Sequence, residues 1–211
     1  MKLSAVVVAR NDNYGGDLND RATYCLNSLI DTFDEVILVD WNSPNNHPLL
    51  WDIKDNIQSK GNLKHIVITP EVASMLTNND PHAQVCNEVL GRNIGIRRAS
   101  GDYIVSTNID VIAPRRDQLE NAIKNELNDN TFYTISRRHT EWKDIEAFHS
   151  GERKYNEWRE LREHLIKNSE ERKYEEAVVE GDNYSIINCC GDFQLAHKNV
   201  WNEIRGFEEE L

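Results

Sequence analysis

The chain has 211 residues, of which 39% are hydrophobic and 28% are charged, and its formal net charge is -12. This length suits one sizeable domain with its own hydrophobic core. The acidic balance argues against nucleic acid and anionic membrane surfaces as partners, because contacts with phosphate groups need a basic face. No apolar run approaches the length of a membrane span, and the cysteines show no Cys-x-x-Cys spacing. We therefore expect a cytoplasmic protein with reduced thiols.

The first half of the sequence alternates apolar strands with helices. Strands are predicted at 4–9, 35–40, 64–69 and 103–107, and helices at 20–33, at 48–57 and over a stretch that ends near 100. Gly101 suits the C-cap of that last helix, and a polar loop is expected around 78–82. The strands are unbroken apolar runs, which is typical of a parallel sheet covered on both faces. We predict an α/β fold of the doubly wound type, with a mainly parallel central sheet flanked by helices.

The second half is more highly charged and less regular. Helices are predicted at 117–127 and within 152–176, strands at 131–136, 184–188 and 193–197, and a helical turn at 200–204. The charged helix carries Tyr155, Trp158 and Leu165 at helical spacing, together with Leu161 or Arg162. A single narrow apolar stripe without a sustained heptad favours docking onto the sheet over a coiled coil.

Polar residues follow three of the predicted strands at one edge of the sheet. The first strand leads into Arg10, the second ends at Asp40, and the fourth leads into Asn108 and Asp110. In open α/β sheets ligands bind outside the carboxyl ends of the strands. A carboxylate placed there needs a partner, and a divalent cation is a natural one for Asp110. The alternative is that these residues only form turns or helix caps.

A stretch of positive charge precedes the fourth strand and offers a pocket for an anionic ligand beside Asp110. Its members are Arg92, Arg97 and Arg98. The sequence contains neither a GxGxxG segment after the first strand nor a Walker A segment. A nucleotide would therefore be held in another way. We expect its base at Asp40 and the backbone near Ala9 and Arg10, and its diphosphate at a metal on Asp110.

Four segments together resemble the inverting GT-A glycosyltransferases of the family-two type. They are AVVVARN, VILVD with the following WNS, GRNIGIRRASGDYIVSTNID and CGDFQLAHKNVWNEIRGFEE. The resemblance covers nearly the whole chain and extends to a larger virus-encoded member of this family, of which the chain would be the amino-terminal domain. It implies one domain with the GT-A type nucleotide-diphospho-sugar transferase fold. Residues 1–114 would form the nucleotide-sugar-binding half and residues 115–211 the acceptor half.

The resemblance also implies an activity. The protein would be a hexosyl- or deoxyhexosyltransferase that moves a sugar from a nucleotide-diphosphate donor, a UDP-sugar, to a glycan acceptor hydroxyl with inversion. Asp40 would recognise the base, with Ala9 and Arg10 lining that pocket. Arg92 and Asn93 would lie near the diphosphate or the donor sugar.

The metal motif of the family is usually DxD, and this sequence departs from it. Asn108 stands at the first position and can still offer an oxygen. Asp110 is then the main anionic ligand, and it would bind Mn2+ or Mg2+ bridging the diphosphate. The bound ion would stabilise the charge on the leaving nucleoside diphosphate.

An inverting transfer needs a carboxylate that takes a proton from the acceptor hydroxyl. Asp192 is the first candidate, because it lies between a glycine that allows close approach and an aromatic residue that can wall the sugar. Glu209 is the second, although it belongs to a run of three acids that is typical of a solvated tail. The base could also lie beyond Leu211. His197 follows the last strand and is a further candidate for contact with the metal.

Two other functions remain open at this point. A nucleotidyltransferase that makes sugar nucleotides usually carries a Gly-rich loop after its first strand, and Gly15 and Gly16 are a faint version of one. A binding module that has lost turnover would be consistent with Asn108 in place of an acid.

Overall fold

A computed structural model describes residues 1–44, 47–80, 82, 85–134, 138–139, 145, 158–168, 170–171, 176–178, 185–187 and 192–209. Six strands form the main sheet, in the order β3-β2-β1-β4-β10-β5. They are β1 (Leu3–Ala9), β2 (Glu35–Trp41), β3 (Leu63–Ile68), β4 (Tyr103–Asn108), β5 (Tyr133–Thr134) and β10 (Phe193–His197). Two small antiparallel pairs accompany it, namely β6 (Arg138–His139) with β7 (Glu170–Glu171) and β8 (Glu176–Val178) with β9 (Ser185–Ile187).

Seven α-helices are described. They are α1 (Leu18–Thr32), α2 (Leu50–Ile53), α3 (Pro70–Leu76), α4 (Glu88–Arg98), α5 (Arg116–Asn125), α6 (Trp158–Asn168) and α7 (Lys198–Glu203). A 3-10 turn at Lys54–Asn56 extends α2. Within the described part of the chain, no helix has the length and apolar character that crossing a membrane requires.

The main sheet is parallel except at its β10 side. Strand β1 pairs in parallel with both β2 and β4, whereas β10 runs antiparallel to β4 and to β5. Every residue of β1 and β2 is buried, because helices cover both faces of the sheet. One core joins the sheet to α1 and α5, and the other joins it to α4 and α7. The predicted α/β architecture with a mainly parallel central sheet is confirmed.

Helix α4 packs unusually close to β1. A Cβ atom added at Gly91 would lie 2.7 Å from a methyl carbon of Val8, and one added at Gly95 would overlap Val6. The two glycines face the strand because they are four residues apart on one side of the helix. This close packing places the first turns of α4 beside the carboxyl end of β4.

The predicted role of Gly101 as a helix C-cap is wrong. Helix α4 ends at Arg98, and Ala99 follows it in extended conformation. Gly101 instead lies against Ser4, where an added Cβ would come within 2.7 Å of the backbone nitrogen. The glycine is needed for close approach of two backbones and not for a left-handed turn.

The charged helix is shorter than predicted. Its apolar stripe is confirmed, because Trp158, Leu161 and Leu165 are buried, but the stripe packs on Tyr24 of helix α1, whereas docking onto the sheet was expected. The helix ends at Asn168, since further turns would have no apolar face to bury. Tyr155 lies outside the described residues.

Two further expectations need correction. Helix α3 begins where only a connection was expected, and a cap and a proline fix its start. The Thr69 hydroxyl accepts a hydrogen bond from the Val72 amide at 3.4 Å, and Pro70 occupies the first turn. Of the strand predicted at 131–136, residues 131 and 132 are not in strand conformation and Tyr133–Thr134 form β5, which pairs with β10, whereas 135–136 lie outside the described residues.

Candidate functional site

The strand register brings several of the predicted residues to one edge of the main sheet. Ala9 pairs with Asp40 across β1 and β2. Asn108 pairs with Val8 across β4 and β1, and so lies one residue back along β1 from the pair of Ala9 and Asp40. On the other side of β4, the pairing of Phe193 with Thr107 places Asp192 opposite Asn108. These residues share the edge where the parallel strands end, at which open α/β sheets bind ligands.

The Asn108 amide and the Asp192 carboxylate are in direct contact. Asn108 Nδ2 donates to Asp192 Oδ1 at 2.7 Å. The backbone of Asp192 is held as well, because its carbonyl oxygen accepts hydrogen bonds from Thr107 Oγ1 at 2.5 Å and from the backbone N–H of Asn108 at 3.3 Å. Asp192 is 5% exposed. Its carboxylate therefore lies in a largely desolvated position with its backbone fixed by β4.

Arg92 lies on the opposite side of Asn108. Its guanidinium donates to Asn108 Oδ1, to Ser106 Oγ at 3.2 Å and to Glu88 Oε2 at 3.0 Å, and it stands 5.6 Å from the centre of the Phe207 ring. Arg92 is buried. The four side chains of Glu88, Arg92, Asn108 and Asp192 thus form one continuous hydrogen-bonded chain from helix α4 across the end of β4 to the residue before β10.

Asp110 projects from the same strand end in a different environment. It is half-exposed and pairs with Arg21 of α1 at 3.5 Å. Arg21 also donates to the carbonyl oxygens of Tyr14 and Gly16, so Asp110 is linked to the loop between β1 and α1. Burial, together with the nearby charge of Asp110, raises the pKa of the Cys25 thiol.

Asp40 is fully buried and its carboxylate is held by three groups of the protein. It accepts from the Ser43 hydroxyl, from the Leu49 backbone amide at 2.7 Å and from His65 Nε2 at 3.2 Å. The Asp40 carboxylate therefore connects the turn after β2, which contains Ser43, to His65 on the neighbouring strand β3. Its predicted role in base recognition stays a prediction.

Arg10 leaves the end of β1 and turns toward the next strand. Its Nε donates to the Asn42 carbonyl at 3.0 Å, and Nη1 lies 3.7 Å from the Asp12 carboxylate. Ala9 is buried beside it. Both residues line the sheet edge at the position where the sequence predicted a nucleotide base.

The expected basic pocket beside Asp110 is not formed as predicted. Arg97 pairs with Glu209 at 2.8 Å, and Arg98 donates to the Ile94 carbonyl of its own helix. Both lie in the last turn of α4. The helix rises about 1.5 Å per residue, so its last turn is far from its first. Of the three arginines, only Arg92 reaches the strand end.

Asn93 and Glu209 form a second cluster on the flank of α4. Asn93 donates to Glu209 Oε1 at 2.7 Å and to the Phe207 carbonyl at 2.9 Å, and it accepts from the Phe207 amide at 2.8 Å. Gly206, which has a φ of 87°, packs against the side-chain amide of Asn93. The contacts fasten 206–209 to the helix. The predicted functional roles of Asn93 and Glu209 stay predictions.

His197 lies at the wrong end of its strand for a metal contact. It pairs with Tyr103, the first residue of β4, and its ring accepts a hydrogen bond from the Asn199 amide at 3.3 Å. Strand β10 has five residues, so at about 3.3 Å per residue its two ends lie more than 10 Å apart. The candidacy of His197 is therefore wrong, and its ring caps α7.

The sequence alone did not identify Arg21, Glu88 or Ser43 as parts of this edge. Glu88 had a readable signal, because it stands four residues before Arg92 on a predicted helix. Arg21 and Ser43 had none, since their contacts depend on how α1 and the turn after β2 pack.

Metal binding by Asp110 stays a prediction. Among the described residues there is no group of three or more His, Cys, Asp or Glu side chains that could hold an ion. Asn108 Oδ1 faces the Arg92 guanidinium, a poor environment for a second cation. At nucleotide sites Mg2+ is usually bound by one or two protein carboxylates together with the phosphates of the substrate. A single half-exposed carboxylate at a strand end fits that requirement.

Structural comparison identifies the fold. A mannosyltransferase from Pyrobaculum calidifontis, solved with GDP-Man and Mn2+, is similar over 100% of this chain and 48% of its own, with a TM-score of 0.52 and 15% identity. The predicted GT-A fold is confirmed.

Two other solved structures are similar to smaller extents. The galactosyltransferase LgtC, solved with donor and acceptor sugar analogues, matches 95% of this chain and 59% of its own, with a TM-score of 0.49 and 15% identity. S. aureus TarS 1-349 matches 59% of this chain and 32% of its own, with a TM-score of 0.37 and 19% identity. The chain thus spans from about a third to three-fifths of these three proteins. Neither a family model nor a curated protein matches the sequence.

Proposed function

We propose that this protein is a metal-dependent glycosyltransferase that moves a hexosyl or deoxyhexosyl group from a UDP-sugar to a glycan acceptor hydroxyl with inversion. The observation that carries the proposal is the position of Asp192. A nearly buried carboxylate lies at the ligand-binding edge of a GT-A sheet and is held there by Asn108. We also propose that the protein is cytoplasmic and of viral origin, and that the same polypeptide carries further domains.

Asp192 is the proposed general base. The acceptor oxygen attacks the anomeric carbon of the donor from the face opposite the diphosphate. A new carbon–oxygen bond forms as the bond to the diphosphate breaks, and the electron pair of that bond leaves with UDP. The acceptor proton moves to the Asp192 carboxylate. Glu209 is the weaker candidate, because Asn93 and Arg97 hold its carboxylate against the flank of α4.

Asp110 is the residue proposed to hold Mn2+ or Mg2+ together with the diphosphate. When bound, the ion supplies Lewis-acid stabilisation of the charge that develops on the leaving group. Arg92 lies close to the same edge, and its buried positive charge favours an anionic ligand there. Asn93 is kept in the proposed donor pocket only because it follows Arg92 in α4.

Ala9, Arg10 and Asp40 are proposed to bind the nucleotide base. A carboxylate has about four acceptor positions, and Asp40 uses three of them within the protein. A base N–H can take the remaining position only if the residues that cover Asp40 move aside. Arg10 needs no such movement, since it is only partly buried at this edge, whereas Ala9 is buried beside it.

The loop between β1 and α1 does not favour a nucleotidyltransferase. A phosphate-binding loop directs backbone N–H groups at its anion. Here the carbonyl oxygens of Tyr14 and Gly16 are directed at Arg21 of the following helix. Gly15 and Gly16 adopt positive φ values of 74° and 77°, a backbone conformation that favours glycine, so these two glycines need no phosphate ligand to explain them.

A thermal-shift screen of nucleotide sugars with and without Mn2+, followed by measurement of nucleotide release, tests the proposal. We expect a UDP-sugar to raise the melting temperature in the presence of Mn2+, because it binds only the folded state. We also expect slow release of UDP. Pyrophosphate formation from UTP and a sugar phosphate would indicate a nucleotidyltransferase instead. Binding without any donor turnover would indicate a non-catalytic module, and no binding by any nucleotide sugar would overturn the proposal.

A further inference from the structure

The contact between Asn108 and Asp192 depends on a donor at position 108. Asn108 Nδ2 lies 2.7 Å from Asp192 Oδ1, and an ionised carboxylate only accepts hydrogen bonds. Aspartate at 108 would bring two carboxylates together at this distance, and such pairs repel when both are ionised. Asparagine therefore suits Asp192, which directly precedes β10, in a way that aspartate at position 108 does not.

Arg92 fixes which end of the Asn108 amide faces Asp192. A guanidinium has donors and no acceptor, so it must face the amide oxygen, as it does here. The amide nitrogen then points to the carboxylate. Arg92 is itself held by Ser106 at 3.2 Å and by Glu88 at 3.0 Å. The orientation of Asn108 is thus set by contacts on both of its sides.

We infer that Asn108 is a positioning residue that orients the Asp192 carboxylate for proton transfer. This inference rests on the proposed function. The backbone of Asp192 is fixed by Thr107 and by the strand pairing of β4 and β10. Asn108 restrains the side-chain torsion of Asp192 by holding one carboxylate oxygen.

The variant Asn108→Asp tests the inference directly. It keeps the shape of the side chain and the acceptor for Arg92, and it removes the donor to Asp192. We expect kcat for donor turnover to fall about tenfold or more, because a misplaced base loses much of its contribution. We expect donor affinity to stay within about twofold, since the contact to Arg92 is kept. Asn125→Ala, which removes an exposed amide on α5 that bonds Asn121 at 2.8 Å, is the control and should leave both quantities unchanged.

A double-mutant cycle measures the contact without any substrate. Unfolding equilibrium constants are determined for Asn108→Ala, Asp192→Ala and the double variant. We expect the double variant to differ from the product of the single effects by about tenfold, as for a hydrogen bond to a charged group. Wild-type kcat in Asn108→Asp would overturn the inference, as would loss of donor affinity in parallel with kcat, or additive effects in the cycle.

Failure of the proposed function is distinguishable from failure of the inference. If the wild type neither binds nor turns over any nucleotide sugar, the proposed function fails, and the positioning role falls with it even when the cycle shows coupling. If the wild type is active and Asn108→Asp is equally active, the inference alone fails.

Discussion

The carboxylate of Glu209 accepts a hydrogen bond of 2.7 Å from the side-chain amide of Asn93. The same carboxylate pairs with Arg97, so it lies along the flank of α4. Asp192, in contrast, lies opposite the last residue of β4 at the sheet edge. The two candidate bases therefore occupy different places, and of the two only Asp192 lies at the edge where the parallel strands end.

Glu209→Gln should leave transfer nearly intact. Glutamine keeps an acceptor for Asn93 and loses only the charge facing Arg97, an exposed pair that contributes about 1 kcal/mol or less to stability. We expect donor turnover within about threefold of the wild type, measured as UDP release at saturating donor. A variant that binds donor normally and has no turnover would show that the base is Glu209.

Asp110→Ala should remove the part of UDP binding that depends on metal. Asp110 is the carboxylate that we propose as the protein ligand, and without it the ion is held by the diphosphate alone. Calorimetric titration of UDP with and without Mn2+ measures the difference. Asp117→Ala is a matched control, because Asp117 is also exposed and lies 3.6 Å from an arginine, Arg115. Equal UDP affinity of Asp110→Ala and the wild type at saturating Mn2+ would refute the assignment.

Asp40→Ala should weaken every uridine nucleotide to a similar degree and should also destabilise the fold. The carboxylate is fully buried and accepts from Ser43, Leu49 and His65. Loss of its hydrogen bonds leaves buried donors unpaired, at a cost on the order of 1.5–3 kcal/mol. Urea denaturation measures the loss of stability, and calorimetry at low temperature measures UDP affinity of the folded variant. UDP affinity within twofold of the wild type would restrict Asp40 to its structural role.

Glu35 should make stability depend on pH at the opposite edge of the sheet. Burial raises the pKa of Glu35, but hydrogen bonds from Lys64, the Ser100 amide and the Ser4 hydroxyl outweigh it and bring the pKa to about 2, against an ordinary 4.5. A depressed pKa in the folded state stabilises the protein above the unfolded value. That contribution, on the order of 2 kcal/mol, is lost as the pH falls from about 4.5 to about 2.

Urea denaturation of Glu35→Gln at several pH values checks this linkage. We expect the variant to be less stable than the wild type at pH 7, with the difference shrinking through the acidic window. Glu203→Gln, at an exposed position on α7, should follow the wild-type profile at every pH. A constant difference between Glu35→Gln and the wild type from pH 7 to pH 2 would contradict the assignment.

The sequence was sufficient to predict the frame of the fold. Unbroken apolar runs located β1, β2 and β4, because strands buried on both faces need apolar residues at every position. Their polar ends then predicted the edge at which Asp40 and Asn108 lie. Helix α3 was missed although Thr69 and Pro70 carried its start signal.

The contacts that define the site were beyond reach of sequence patterns. Asn108 and Asp192 are 84 residues apart, and their contact follows from the antiparallel entry of β10 beside β4. Nothing local in the sequence fixes that pairing. The burial of Asp40 likewise depends on how Leu49 and His65 pack around it. The resemblance placed Asn93 near the donor and Glu209 was the second candidate base, but neither pattern predicted the contact that the fold provides between the two.

Asp192→Asn provides the most direct test of the account. The substitution preserves shape and hydrogen-bonding capacity but leaves no carboxylate to accept the acceptor proton. Donor turnover and donor affinity are measured side by side for the wild type, Asp192→Asn and Glu209→Gln, with Mn2+ present. The account predicts that Asp192→Asn keeps wild-type affinity within about twofold while turnover falls by roughly 10²–10⁴-fold. Turnover of Asp192→Asn at the wild-type rate would contradict the assignment of Asp192 as the base.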